Sequence, residues 1–318
     1  MVLPPHTTPA PKPGSLFLPA MSSTEPSSTQ APPPGPPAAT PLPRPKASEQ
    51  KATDPGVPAA AAAVDHRPPA DPKFDLPKLR LEIRDLNHPA AAHFLSAVNA
   101  STAQATAVHS VLNLLYESPS CPTTHVPPTR SVTLILRDMP GVAYTTGSDL
   151  DDDHKEIHFS MSYIAGISAE RRTHEIMGVL THEMVHCFQW NARGTCPGGL
   201  IEGIADWVRL NSHLSPPHWK REASGKWDGG YQHTAYFLDY LEGRFGEGTV
   251  RKLNEKLRNH RYQEKEFWTE SLGRPVEQLW KDYREKLKDD EAVIVNKDDI
   301  SDDDVRLGLM RAADETAE

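Results

Sequence analysis

The sequence predicts an α+β fold in which a small sheet precedes a mostly helical half, with a tail lacking its own fold at each end. Three observations carry that expectation. Strand-like apolar runs gather between residues 79 and 164, apolar positions recur with a period of about 3.6 through most of the chain beyond residue 164, and the two ends are compositionally biased.

About twenty of the 31 prolines fall in residues 1–72, among runs such as A-P-P-P-G-P-P and A-A-A-A-A, with almost no aromatics. Such a segment buries too little apolar area to offset its ordering entropy, so disorder is expected there. The formal net charge is −9, and residues 289–318 carry eleven acidic against three basic side chains, which leaves the body near neutral. This acidic end, with Ser301 ahead of three aspartates, reads as a second disordered tail open to phosphorylation or to partners the sequence does not specify. The folded domain is therefore expected over residues 73–288.

A near-neutral body lacks the basic stripe that a nucleic-acid surface needs. No apolar run approaches the length of a membrane span. The start M-V-L-P-P-H-T-T-P-A lacks the charged beginning and continuous apolar core of a signal peptide, which makes an intracellular protein the expectation. Three cysteines make no disulfide framework, although Cys187 and Cys196 flank one turn where they could pair.

In chain order, L-R-L-E-I at 79–83 alternates as a half-buried strand does. Asn87 or His88 opens a helix, and Ser101 or Thr102 opens a second that runs to about Tyr116. After a proline-broken loop, S-V-T-L-I-L-R, G-V-A-Y-T-T and E-I-H-F-S-M-S-Y-I read as three strands. The acidic S-D-L-D-D-D-H between the last two lacks calcium-loop spacing and reads as a solvated hairpin tip. Ser168 is a suitable cap for a helix whose apolar residues Ile176, Val179, Leu180, Met184, Val185 and Phe188 cover more than one face, so it should be buried. The G-T-C-P-G-G turn leads to a helix over Leu200–Leu210, and further helices come near 232–244 and 249–259 and through V-E-Q-L-W-K-D-Y-R-E-K-L, with Trp280 and Tyr283 as core.

The buried helix carries His182, Glu183 and His186 as H-E-x-x-H. Residues four apart on a helix share a face, so the two imidazoles can hold one ion between them. Zinc suits such a set, because its catalytic sites take three protein ligands and keep one position open. Glu183 lies about 100° round the helix, better placed for a water at the metal than for the metal itself. Glu202 is the candidate third ligand, and Asp206, one turn on, can take the spare N–H of a ligand histidine. Gly178 stands one turn ahead of His182 on the ligand face, where the missing side chain lets the sheet or substrate come close or serves plain packing.

H-E-M-V-H followed by P-G-G-L-I-E-G-I-A-D-W-V-R-L resembles the plant basic secretory protein family of metallopeptidases, which also occurs in bacteria and fungi. The resemblance extends from about Phe74 to Leu287. It implies a zincin-like fold of gluzincin type, with His182, His186 and Glu202 as zinc ligands, Glu183 as general base and Asp206 behind a ligand. The metzincin pattern fails, since C-F-Q-W-N-A follows His186 with no third histidine at its spacing. By analogy with this peptidase class, Val142–Thr145 is an edge strand that binds the substrate backbone. The acidic charge and the start without a leader depart from the plant members.

The expected activity is zinc-dependent hydrolysis of peptide bonds in a peptide or protein. Such chemistry needs a donor for the developing oxyanion, and Tyr231, then His233, are the candidates, both beside Gly229 and Gly230. Two alternatives stand beside it: a metal-stabilised scaffold that presents its tails, and a metal-dependent amidase of narrow specificity.

Overall fold

The structure, a computed structural model, describes residues 73–292. The expected tails lie outside these residues, except that a helix over 276–292 runs four residues past the expected boundary at 288. Among the described residues a four-stranded mixed sheet is joined by nine helices.

The strands β1 (Lys78–Ile83), β2 (Ser131–Arg137), β3 (Ala143–Ser148) and β4 (Asp151–Ser160) lie in the order β1-β2-β4-β3. The pairs β1–β2 and β2–β4 are parallel and β3–β4 is antiparallel. A parallel pair requires a long crossover, supplied between β1 and β2 by α1 (Pro89–Ala97) and α2 (Ala100–Leu115). The near-continuous apolar run of β2 follows from its place inside the sheet, whereas β1 alternates between half-buried and exposed positions at an edge. The strand that contains Ala143–Thr145 is the opposite edge, where an edge was expected.

Four boundaries differ from the sequence reading, each for a local reason. Helix α2 starts earlier than Ser101, because the Asn99 side chain accepts from Thr102 N. Strand β4 begins at Asp151, so the acidic run expected as a hairpin tip is largely strand and only Asp149 and Leu150 form the turn. Arg130 pairs with Asp151 and Lys155 with Asp152, which offsets repulsion among the carboxylates. The expected third strand ends at Ser160, whose hydroxyl accepts from Tyr163 N and caps α3 (Met161–Gly166). Ser168 lies in a turn, and α4 (Arg172–Phe188) begins four residues later without a side-chain cap.

Helix α4 is buried on most sides, as its composition requires. After it come α5 (Gly198–Asn211), α6 (Tyr231–Phe245), α7 (Thr249–Lys256), α8 (Glu264–Leu272) and α9 (276–292). Phe237 packs edge-on against Trp280 at 5.1 Å, and Tyr283 and Trp268 complete the cluster, so Trp280 and Tyr283 are core residues as expected.

Gly203 on α5 faces Thr234 of α6, and a Cβ there would stand 2.3 Å from Thr234 Cγ2. Gly203→Ala is therefore expected to destabilise the domain by about 1–3 kcal/mol in chemical denaturation. An unchanged midpoint would mean that α5 and α6 do not approach this closely.

Candidate metal centre

Helix α4 presents His182 and His186 from one face, with ring centroids 5.0 Å apart. The chain then reverses tightly, and Ala192, Arg193 and Gly194 all adopt left-handed backbone conformations. Ala192 N donates to Leu257 O at 2.8 Å, which pins the turn to the helical half. Helix α5 returns beside α4 and delivers Glu202 and Asp206 on successive turns of one face.

His182 Nε2 lies 3.1 Å from Glu202 Oε2 and 3.3 Å from His186 Nε2, and His186 Nε2 lies 3.8 Å from the same carboxylate oxygen. Three ligand-type atoms thus converge, one from each expected residue, and this is a group that could hold a metal ion. The side chain of His182 is 5% exposed, against 18% for His186 and 25% for Glu202, so the cluster is closed behind and open in front.

The opposite ring nitrogens are both engaged. His182 Nδ1 meets Asp206 Oδ1 at 2.6 Å in a buried contact, as the sequence suggested. His186 Nδ1 meets Gln189 Oε1 at 2.5 Å, and Gln189 Nε2 donates to Ile201 O at 3.1 Å. Sequence reasoning missed Gln189. Its signal was a polar side chain three residues past the second histidine, just beyond the helix end, where it can reach back over the last turn. With each Nδ1 held, each Nε2 is aimed at the shared point.

Burial pushes the His182 imidazolium down, but the Asp206 charge and the hydrogen bonds from Asp206 and Glu202 outweigh it and raise the pKa. Burial likewise pushes Glu202 up, while the His182 hydrogen bond and the two histidine charges bring it below its ordinary value. A metal arriving at this cluster must displace a proton from His182.

Glu183 is buried and turned toward β3. The Thr145 hydroxyl lies 2.8 Å from Glu183 Oε2 and 3.0 Å from Glu183 O. Thr145 is the second contact that the sequence left unnamed, because nothing in a strand's pattern says which helix residue faces it. The Tyr231 ring stacks near that of His182, with centroids 6.2 Å apart and planes 15° from parallel. Tyr231 opens α6 with φ 47, a left-handed conformation that follows a left-handed Gly230. His233 turns its Nε2 to Lys226 O at 2.9 Å and its ring to Trp280, so its ring nitrogen is engaged outside the cluster.

Cys187 and Cys196 do not pair: all three cysteines are free. Cys187 Sγ points to Glu183 O rather than to the convergent atoms, and burial raises its thiol far above the ordinary range, so it packs as a small apolar residue. Gly178 gives room to a side chain rather than to the sheet, since a Cβ there would stand 2.6 Å from Arg209 Nε.

Residues 76–283 match the BSP family, described as a peptidase of plants and bacteria. The chain belongs to this family. No match is found among curated proteins or among solved structures. Membership in the BSP family makes this protein a peptidase in general terms and its substrate a peptide or protein. No helix of the described residues is long and apolar enough to cross a membrane.

Asp206→Ala is expected to weaken divalent-metal affinity by about 10–100-fold in chelator competition, and Gln189→Leu to act in the same direction. Unchanged affinity in Gln189→Leu would remove it from the support of His186. Because the raised His182 pKa favours the protonated ring in the metal-free chain, metal affinity should rise with pH across neutrality. Calorimetry in two buffers of different ionisation enthalpy should register proton release on metal uptake, and identical heats would contradict it.

Proposed function

We propose that this BSP-family member is a zinc-dependent peptidase that hydrolyses peptide bonds with Glu183 as general base. The observation that carries the reading is the cluster of His182, His186 and Glu202 with Glu183 lining the same cavity as His182. Nitrogen and oxygen ligands about 2.0–2.1 Å from a tetrahedral ion stand about 3.3 Å from one another. The separations of 3.1, 3.3 and 3.8 Å fit that set without a fourth protein ligand. A structural zinc site fills all four positions and commonly uses cysteine. The free, inward-turned Cys187 and the exposed front of the cluster speak for catalysis instead.

Zinc bound here would supply Lewis acidity, acidifying a water and polarising the scissile carbonyl. The remaining work falls to the chain. Glu183 accepts the proton of the attacking water and returns it to the leaving amine, while Thr145 holds Oε2 in position. Asp206 and Gln189 fix the tautomers of His182 and His186, leaving each Nε2 lone pair toward the ion. Tyr231, whose ring stacks near that of His182, is the proposed donor to the developing oxyanion, and His233, whose ring turns to Trp280, is the second candidate. The outer edge of β3 is a natural dock for a substrate backbone, which would add as a further strand within reach of Thr145 and Glu183.

Glu183→Gln is expected to lower hydrolysis of an unstructured protein substrate by about 10²–10⁴-fold while zinc content stays at that of the unaltered chain. Retained hydrolysis in a zinc-loaded Glu183→Gln protein would overturn the assignment of the base.

A further inference from the structure

A cavity of about 310 Å³ opens at His182 and Glu183 and follows α4 toward its N-terminal half, as far as Glu175. Glu175 and Glu183 are about 12 Å apart along the helix at 1.5 Å per residue. The two ends differ in chemistry. One end is the candidate metal cluster and the other a cluster of charged side chains, and the walls include Val142, Val179, Pro216 and Trp219 together with His218 and Gln232.

That far end is tightly built. Glu175 Oε1 accepts from Tyr163 Oη at 2.9 Å and Arg209 Nη2 at 3.2 Å, and Oε2 accepts from Arg171 Nη2 at 2.9 Å. Burial pushes the Glu175 carboxyl up, but Arg209 and the three hydrogen-bond donors hold it below its ordinary value, so it stays ionised. Arg209 donates through Nε to Leu214 O at 3.0 Å and lies over the Trp219 ring at 5.3 Å. Its side chain is only 9% exposed, and Gly178 leaves the space that the guanidinium fills. The hydrogen bonds of Arg209 to described residues run through Nε and Nη2 alone, and Nη1 is not sealed from solvent.

Two guanidinium groups therefore meet one carboxylate, at the end of a cavity whose walls include Val142, Val179, Pro216 and Trp219. Ordinary packing would have no need to open this ion pair into a cavity. A guanidinium nitrogen that takes no protein acceptor is a ready donor to a ligand oxygen. The same cavity is lined by His182 and Glu183, which puts a substrate group within its reach.

We propose that this cavity receives one substrate side chain next to the cleaved bond, long, apolar along its shaft and oxygen-tipped, with Arg209 Nη1 reading the tip. Tyrosine and glutamate have that chemistry. Phenylalanine and leucine fill the shaft and leave Nη1 unmet. The inference rests on the peptidase reading, which it deepens to a substrate class.

The test uses the full zinc-loaded chain and matched fluorogenic peptides that differ only at one residue flanking the bond. At one of the two flanking positions, kcat/KM should favour tyrosine over phenylalanine and glutamate over leucine by about tenfold or more, since a site built for a polar tip rejects the analogue that lacks it. Whether tyrosine or glutamate leads tells a neutral tip from a charged one. Arg209→Lys keeps the charge opposite Glu175 but loses the planar fork, so the preference should collapse while zinc content holds. Val179→Phe, which fills the shaft, should shift cleavage to small residues. Equal rates within both pairs, or a Val179→Phe profile like that of the unaltered chain, would overturn the pocket and leave the Glu175–Arg209 cluster a packing element. Binding of the same peptides to zinc-loaded Glu183→Gln separates the two readings. Selective binding without turnover by the unaltered chain would overturn the peptidase reading alone, and binding without selectivity would overturn the pocket.

Discussion

The buried contact between His182 Nδ1 and Asp206 Oδ1, 2.6 Å long, is the constraint on which the centre depends. It joins α4 to α5 across a tight turn and fixes one imidazole in both tautomer and orientation. Asp206 is 3% exposed and His182 4%, so neither can exchange its partner for bulk water. Removing one partner of such a pair strands the other, at a cost of about 3–5 kcal/mol. Glu202 sits one turn before Asp206, and the contact that orients His182 therefore also sets where Glu202 meets it. The Gln189 bridge from His186 to Ile201 O is a second tie between the same two helices.

The surroundings turn that rigid pair of helices into a site with direction. The edge strand β3 carries Thr145 to Glu183, and the start of α6 carries Tyr231 to His182. The left-handed Gly230 and Tyr231 backbone lets α6 begin this close, and Gly199, where a Cβ would stand 1.9 Å from Asp228 O, lets the preceding loop cross α5. The same α4 face that presents His182 and Glu183 continues through Val179 to Glu175, so the cavity and the candidate metal cluster share a single helical ruler.

Much of this was legible in the sequence, where local chemistry dictates the outcome. His182 and His186 converge because of helical geometry, Glu202 and Asp206 because of a second helix in phase with the first, and β2 is internal because its V-T-L-I-L centre is mostly apolar. The misread boundaries at Ser168, at Asp151 and after Ser160 depend on caps and ion pairs that a one-dimensional pattern does not contain. Ser160 is both the last strand residue and the cap of α3, and periodicity cannot mark that change. The contacts of Thr145 and Arg209 were illegible for a further reason, that each partner lies on a different element. Gly178 was recognised as making room, but only the fold reveals that the room is taken by the Arg209 guanidinium.

The central claim, that two imidazoles and one carboxylate hold the ion with no thiolate, is tested most directly by X-ray absorption at the zinc edge of the full chain loaded with one equivalent of metal. The account predicts a first shell of nitrogen and oxygen alone at about 2.0–2.1 Å, with outer-shell scattering from two imidazole rings that falls to one in His186→Ala. Sulfur scattering at about 2.3 Å, or an imidazole signal unaltered in His186→Ala, would contradict it.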